Sequence, residues 1–312
     1  MIWGAVVVAA GRGTRFGRPK QLLELGGKPM VAWSIETFAS MPEVVDLVVV
    51  TEPEFLAVMQ SVVAPRAGAL GVCIVPGGST RQNSVRAGLE ALPEHCAGVL
   101  VHDGARPLVR AYEVRAGMRV VRPGTASLLA ARVVDTVKAA DSANKVTRTL
   151  DRSTLWAAQT PQFAATRDLQ RAHADAVRLG WPAATDDAAL LERAGVDVLV
   201  VEASPENFKV TVPGDLVRAE AILRERAAQP TDQEEILVVE CFVGERAVDG
   251  VLSELESRRA RIDAIDRDLP AAVAIRAYLT PDELRGFGRR LHALAGEDAV
   301  FTSHLSHVAA RA

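Results

Sequence analysis

The chain has 312 residues, 49% of them hydrophobic and 24% charged, which suits one large packed domain plus a small one and excludes a disordered composition. Lysine and arginine number 36 against 39 aspartates and glutamates, a net charge of −3, so the composition makes no general electrostatic case for nucleic-acid binding and leaves only a local basic patch open. Cys73, Cys96 and Cys241 are far apart and form no CxxC, no apolar run reaches membrane-spanning length, and no basic leader precedes the first strand, so reduced thiols without a disulfide framework or metal cluster are expected, in a soluble cytoplasmic protein.

The stretch Gly4–Lys20, GAVVVAAGRGTRFGRPK, opens with a short valine-rich run from Ala5 to Ala10, the pattern of a strand buried on both faces. It breaks into Gly11, Arg12, Gly13, Thr14 and Arg15. A glycine-rich loop at the end of a buried strand lets backbone N–H groups approach a phosphate, and Arg15 and Lys20 add fixed positive charge just beyond it. The spacing is not GxGxxG, because Arg15 and Phe16 stand where the last glycine belongs, and it is not GxxxxGK[ST]. A triphosphate held by loop amides, arginine and lysine suits nucleotidyl transfer better than hydride transfer. An ordinary glycine turn is the alternative.

Leu22–Leu25 and Gly26-Gly27-Lys28-Pro29 read as a short strand and turn, and Met30 to Met41 as a helix with Val31, Ile35 and Phe38 on one face. Val44–Thr51 is a second buried strand, Glu52–Val63 a helix and Val72–Val75 a third strand. Pro76-Gly77-Gly78-Ser79-Thr80 then leads into a helix reaching about Leu92, so a second glycine loop is expected at the same sheet edge, where open α/β sheets bind ligands. Gly98–His102 is a fourth strand and delivers Asp103 beside the first loop. A carboxylate there is a natural Mg²⁺ ligand, since Mg²⁺ takes one or two carboxylates plus substrate phosphates, whereas a plain Asp-Gly turn is the alternative. His102 reads as structural.

Tyr112–Val121 reads as a helix and Ala126–Ala131 as a strand. Val133–Gln159 departs from the alternation, with strand-like Val133–Lys138, Val146–Thr149 and Leu155–Ala158 and a turn near Asp141–Asn144. Such an arm exposes strand edges, and pairing with a second chain is a common remedy, so a dimerisation arm is expected. Thr160-Pro161-Gln162 closes it. Thr166–Leu179 is a helix, Thr185-Asp186-Asp187 a cap for a helix over Ala188–Ala194, and Val196–Val201 a strand. Asn207-Phe208-Lys209-Val210-Thr211 precedes a helix from Pro213, with Lys209 placed to reach back to a triphosphate or to remain an ordinary surface lysine.

The blocks VVVAAGRGTRFGRPKQ, GGSTRQNSVRAGL, VLVHDGARP, DTVK, TPQ and NFKVTVPGDL, in this order, resemble the 2-C-methyl-D-erythritol 4-phosphate cytidylyltransferases over about residues 1–228. The resemblance implies a Rossmann-like α/β nucleotidyltransferase domain with a mixed, mostly parallel sheet and a protruding β-arm. It implies a reaction that joins CTP to methylerythritol phosphate with release of pyrophosphate, using Mg²⁺, in the methylerythritol phosphate route to isoprenoids. Ala9, Ala10, Gly78 and Ser84 would then line the cytosine pocket, with Gly104 offering backbone contact, and Gly11 and Gly13 would hold the triphosphate. Arg15, Lys20 and Lys209 would be catalytic, stabilising the pentacoordinate α-phosphorus, and Asp103 would bind the ribose region and the metal. Arg106 would hold the acceptor, helped by Thr136, Arg152 and Thr160 from the arm of the neighbouring subunit, so the homodimer would share its active sites. Ser79 stands where some relatives carry an acidic residue. Another polyol phosphate such as ribitol 5-phosphate is the alternative acceptor, and a translation-associated nucleotide-binding protein without turnover is the alternative from another class.

RERAAQPTDQEE, Arg224–Glu235, reads as a polar linker, with residues 229–235 separating the two units. From residue 236 the pattern restarts as strand, helix, strand, strand, helix, strand, which is the βαββαβ order of a ferredoxin-like α+β sandwich. Its expected strands are Ile236–Val243, Arg259–Asp266, Ala272–Leu279 and Val300–Val308, its helices Arg246–Arg258 and Pro281–Ala295. VECFVGERAVDGVLSELESRRARIDAID resembles the carboxyl-terminal domain of elongation factor G. Arg258, Arg259, Arg261, Arg289 and Arg290 are candidates for an RNA or ribosome contact, but Glu256, Asp263, Asp266 and Asp268 interrupt them, which favours a packing or oligomerisation module.

Overall fold

The computed structural model describes residues 1–11, 19–228, 233–269, 272–281, 283–284, 286–296 and 298–310. Gly13 and Arg15, expected to hold the triphosphate and to stabilise its α-phosphorus, and residues 229–232 of the expected linker, lie outside them.

In chain order the elements are β1 (Trp3–Val8), the short pair β2 (Glu24–Leu25) and β3 (Lys28–Pro29), α1 (Met30–Ala39), β4 (Val44–Thr51), α2 (Leu56–Val63), β5 (Gly71–Pro76), α3 (Arg81–Glu90), β6 (Gly98–Asp103), α4 (Ala111–Val120) and β7 (Thr125–Arg132). There follow β8 (Lys138–Ala140), β9 (Val146–Thr149), β10 (Trp156–Ala165), α5 (Thr166–Arg178), α6 (Asp187–Arg193), β11 (Asp197–Glu202) and α7 (Pro213–Ala228). The tail adds β12 (Gln233–Val243), α8 (Val248–Ser257), β13 (Arg261–Asp266), β14 (Val273–Leu279), α9 (Phe287–Ala295) and β15 (Val300–Ala310).

The main sheet has seven strands in the order β11-β7-β10-β6-β1-β4-β5. β10 runs against β6 and β7, and the other pairings are parallel. Alternate residues of each strand feed two cores. Ala5 and Val7 of β1 pack with Val31, Ile35 and Phe38 of α1 and Val114 of α4, whereas Val6 packs with Val85 and Leu89 of α3 and Leu169 of α5. This two-sided burial explains why β1, β4 and β6 read as unbroken apolar runs. Strand order reverses at β1, with β4 on one side and β6 on the other, so the crevice beyond its carboxyl end is the switch point where ligands bind.

The arm is smaller than its sequence suggests. Only Lys138–Ala140 and Val146–Thr149 form a separate antiparallel pair, turned at Asn144 with φ +62°. Val133–Val137 is not strand, and the expected arm strand Leu155–Ala158 instead belongs to β10, whose Trp156 and Ala157 pair with Arg132 and Ala131 of the main sheet. Hydrogen bonding to β7 decides this, and local residue pattern cannot report it. Thr160-Pro161-Gln162 likewise lies inside β10 rather than closing a hairpin. Of the expected strand Leu22–Leu25 only Glu24–Leu25 is strand, since Lys20–Leu22 forms a 3₁₀ turn.

The tail is a second, four-stranded sheet in the order β13-β14-β12-β15 with α8 and α9 packed on one face, and its core includes Val239, Cys241, Val251, Leu255, Ile275 and Phe287. Its first strand begins at Gln233, inside the stretch expected as linker. The tail meets the amino ends of the main strands. Arg289 Nη2 donates to the Val45 carbonyl at 2.7 Å, the Ser303 hydroxyl donates to Glu43, and a Cβ on Gly288 would stand 3.2 Å from Val45.

Candidate active site

Two cavities open at the carboxyl edge of the sheet. The larger, about 560 Å³, is lined by Ala10, Gly11, Lys20, Gly78, Ser79, Ser84, Asp103 and Lys209 among others. The smaller, about 310 Å³, is lined by Arg106, Thr160, Thr185 and Asp186 among others. Arg81, Asp103 and Lys209 line both and so form the boundary between them.

Each wall has a local cause. Thr80 caps α3 by accepting from the Asn83 N–H at 3.0 Å, and this turns the glycine loop back over the sheet. Ser84, one turn into α3, accepts from the Gly78 N–H at 3.1 Å and fixes the loop to the helix. Neither loop glycine has room for a side chain, since a Cβ on Gly77 would lie 2.4 Å from Ala10 and one on Gly78 2.4 Å from Asn83. Ala9 is buried, and the Gly104 N–H donates to the Val8 carbonyl at 2.9 Å, so both sit behind the cavity wall.

Asp103 emerges at the end of β6 with Lys209 Nζ 2.7 Å from Oδ2 and Arg81 Nε 3.2 Å from Oδ1. Burial works to raise its pKa, but Arg81, Lys209 and Arg106 outweigh that and hold the carboxyl far below the usual range, so it is ionised at any working pH. Arg81 also places Nη1 2.9 Å from Oδ2 of the buried Asp187 in α6. Burial pushes the Asp187 carboxyl up against the pull of Arg81. One guanidinium therefore joins β6 to α6 beneath the site.

Lys209 is held in place by its neighbours. Asn207 is fully buried and its amide donates to Gln159 Oε1 at 3.0 Å and to the Thr160 carbonyl at 2.9 Å, which pins the segment before α7 onto β10. Lys20 Nζ donates to the Val210 carbonyl at 2.9 Å, so the two lysines converge from opposite ends of the domain sequence. Arg106 donates to the Asn207 carbonyl at 2.8 Å and faces the smaller cavity.

His102 lies beneath Asp103 with no exposure. Thr160 Oγ1 accepts from the Asp103 N–H at 3.0 Å and donates to His102 Nδ1 at 3.2 Å, leaving the Nε2 proton for the Arg106 carbonyl at 3.0 Å. Burial lowers the His102 pKa to about 4, so the ring is neutral and structural, in agreement with its sequence reading.

Of the sequence-predicted residues, the structure brings Ala10, Gly11, Lys20, Gly78, Ser84, Asp103 and Lys209 to one cavity and Arg106 and Thr160 to the adjoining one. Thr136 and Arg152 do not join them. Both are exposed on the arm, where Arg152 donates to the Val134 carbonyl at 2.5 Å. Sequence reasoning missed Arg81 and Asp187. Arg81 stands inside the GGSTRQNS block immediately after the Thr80 cap, a place from which a side chain reaches the same edge as the loop, and that signal was available.

The family model described as 2-C-methyl-D-erythritol 4-phosphate cytidylyltransferase matches residues 3–225. A protein of that name from Prochlorococcus marinus (strain MIT 9313) is 44% identical over 224 residues, covering 71% of this chain and 98% of its own length. The crystal structure of the enzyme of that name from Thermus thermophilus is 34% identical with a TM-score of 0.59, covering 72% of this chain and all of its own. That from Francisella tularensis is 30% identical with a TM-score of 0.60, covering 71% and 99%. The tail lies outside the matched residues. With a family model spanning most of the chain, and a two-lobed site at the switch point of the matched domain, the chain belongs to the 2-C-methyl-D-erythritol 4-phosphate cytidylyltransferase family.

Proposed function

We infer that the protein transfers the cytidylyl group of CTP to 2-C-methyl-D-erythritol 4-phosphate, giving 4-diphosphocytidyl-2-C-methyl-D-erythritol and pyrophosphate in the methylerythritol phosphate route to isoprenoids. The observation that carries this reading is the pair of cavities meeting at Asp103 and Lys209. The nucleotide occupies the larger, with the base against Ala10, Gly78 and Ser84 and the triphosphate over Gly11. The acceptor occupies the smaller, its phosphate toward Arg106 and Thr160.

The chemistry needs little beyond placement and charge. An acceptor phosphate oxygen, already ionised at neutral pH, forms a bond to the α-phosphorus as the bond from that phosphorus to the pyrophosphate oxygen breaks. No general base is required. Lys20 and Lys209, with Arg15 from outside the described residues, bear the charge gathering on the α-phosphoryl oxygens, so positioning and electrostatic stabilisation dominate. Asp103 fits a Mg²⁺ ion of the one-carboxylate kind, because it is held ionised at the boundary of both cavities where substrate phosphates would complete the shell. When bound there, the ion supplies further positive charge to the phosphates.

In this reading the arm pairs with a second chain and carries Thr136 and Arg152 into the partner's acceptor cavity. Neither residue lines this chain's own cavities, and the strand edges of β8 and β9 are exposed, which supports that. The unit of residues 1–228 is catalytic. The ferredoxin-like tail, with its resemblance to the elongation factor G carboxyl-terminal domain, serves as a packing module on the amino edge. Among the described residues no helix is long and apolar enough to cross a membrane. Free thiols at Cys73, Cys96 and Cys241 support a cytoplasmic setting.

Pyrophosphate release measured with CTP and each of methylerythritol phosphate and ribitol 5-phosphate tests the reading. Release with the first at much the higher kcat/KM is expected. Preference for the second would reassign the acceptor, and no release with either would favour a binding protein without turnover.

A further inference from the structure

Asp46 on β4 and His95-Cys96 in the turn before β6 bring one carboxylate oxygen, one imidazole nitrogen and one sulfur within 4.8 Å of one another. They lie at the amino edge of the sheet, away from the cavities described above, and cytidylyl transfer makes no use of them. Asp46 Oδ2 is the focus, 2.5 Å from His95 Nε2 and 3.5 Å from Cys96 Sγ. Asp46 and Cys96 are buried, while the His95 side chain is 51% exposed.

Two further features belong to the same place. A Cβ at Gly71 would stand 2.0 Å from Asp46 Oδ1, so the absence of a side chain there gives the carboxylate its position. From the tail, His292 of α9 lines the same cavity of about 840 Å³ as His95 and Cys96. Its Nδ1 is 3.2 Å from the Gly296 carbonyl, which takes the Nδ1 proton and leaves the lone pair on Nε2. That Nε2 atom is buried without a hydrogen-bond partner.

Oxygen, nitrogen and sulfur donors together suit a borderline dication in tetrahedral geometry, Zn²⁺ above all. Bonds of about 2.0–2.3 Å place tetrahedral ligand atoms roughly 3.3–3.8 Å apart, a spacing the Asp46–Cys96 pair already has and the solvent-exposed His95 reaches by withdrawing about 1 Å. We propose that Asp46, His95 and Cys96 form a Zn²⁺-class metal site, completed by His292, that fastens the tail to the catalytic domain. On binding, the thiol proton leaves to solvent and a proton on His95 Nε2 passes to Nδ1, or to solvent where Nδ1 already carries one, so carboxylate, thiolate and dication sum to zero charge. Burial and Asp46 resist formation of the thiolate, and the Arg289 guanidinium favours it. The expectation of metal-free cysteines rested on the missing CxxC. This donor set comes from positions 46, 95, 96 and 292, which no linear spacing reveals.

The test is Co²⁺ titration of the full chain after chelator treatment. A thiolate-to-cobalt charge-transfer band should saturate at one equivalent and disappear on adding Zn²⁺. A Co²⁺ ion at the phosphate site has no thiolate and gives no such band, so the catalytic metal does not interfere. The band should persist in Cys73→Ser, vanish in Cys96→Ser and His95→Ala, and require roughly tenfold more Co²⁺ or more in His292→Ala. If Cys96→Ser does not fold, the exposed His95→Ala carries the same reading. No band in the full chain, or one that survives both Cys96→Ser and His95→Ala, would leave only an Asp46–His95 ion pair beside an inert thiol. Unchanged Co²⁺ affinity in His292→Ala would overturn the link to the tail.

Discussion

At the carboxyl edge of the main sheet Asp103 faces Arg81 and Lys209, and at the amino edge Glu43 faces Arg115 with Nε 3.0 Å from Oε1. The two carboxylates are about equally buried, with side chains 10% and 9% exposed. Their cations are not. Arg81 and Lys209 keep 25% and 39% of their side-chain surface, whereas Arg115 keeps 3%. A cation that is partnered yet still faces a cavity can take up the charge of an incoming phosphate. One that keeps almost no surface beside its acid, with Ser303 of the tail donating to the same carboxylate, holds two pieces of protein together. Burial of the acid alone therefore says little about function, and exposure of its cation says much.

The comparison makes a double prediction. Arg115→Ala strands the buried Glu43 charge and should cost about 3–5 kcal/mol of stability in urea unfolding, with turnover of the folded enzyme unchanged. Lys209→Ala should do the reverse, lowering kcat by 10²–10³, about 3–4 kcal/mol of transition-state stabilisation, while the urea midpoint barely moves. A large stability loss in Lys209→Ala with intact turnover would break the distinction between the two edges.

A buried neutral histidine sharpens it. Burial, then Arg86 and Arg81, lower the His173 pKa from 6.5 to about 4. The unfolded chain takes up that proton first as pH falls, so stability is full above the unfolded value and is lost progressively between 6.5 and about 4, by up to ~3 kcal/mol. His173→Gln should flatten the pH dependence of the unfolding midpoint in that window, and an unchanged slope would show that other groups carry it. The smallest effect concerns the glycine loop. Thr80→Ala removes the α3 cap and should cost about 1 kcal/mol while raising the KM for CTP more than it changes kcat, because the loop holding Gly78 loses its anchor. Equal KM values in both proteins would mean that Ser84 holds the loop unaided.

Much of this was legible in the chain itself. β1, β4, β6 and the tail's βαββαβ order follow from periodicity and from apolar runs between turn residues, because burial on one or both faces leaves its period in the sequence. The loop glycines, Lys20, Asp103 and Lys209 were visible as residue types suited to phosphate. The extent of the arm was not, since Leu155–Ala158 has the same strand-like character whether it pairs within a hairpin or with β7.

The amino-acid order by itself determined the elements, the two-unit organisation it suggests and the chemical kind of the site. Tertiary structure alone decided that Arg81 bridges Asp103 and Asp187, that β10 joins the main sheet, and that His292 lines the same cavity as Cys96. The physical reason is one of range. Strand period, helix period and turn chemistry act over a few residues and are written locally, whereas an ion pair or a ligand set forms between side chains that only the packed sheet brings within a few ångströms.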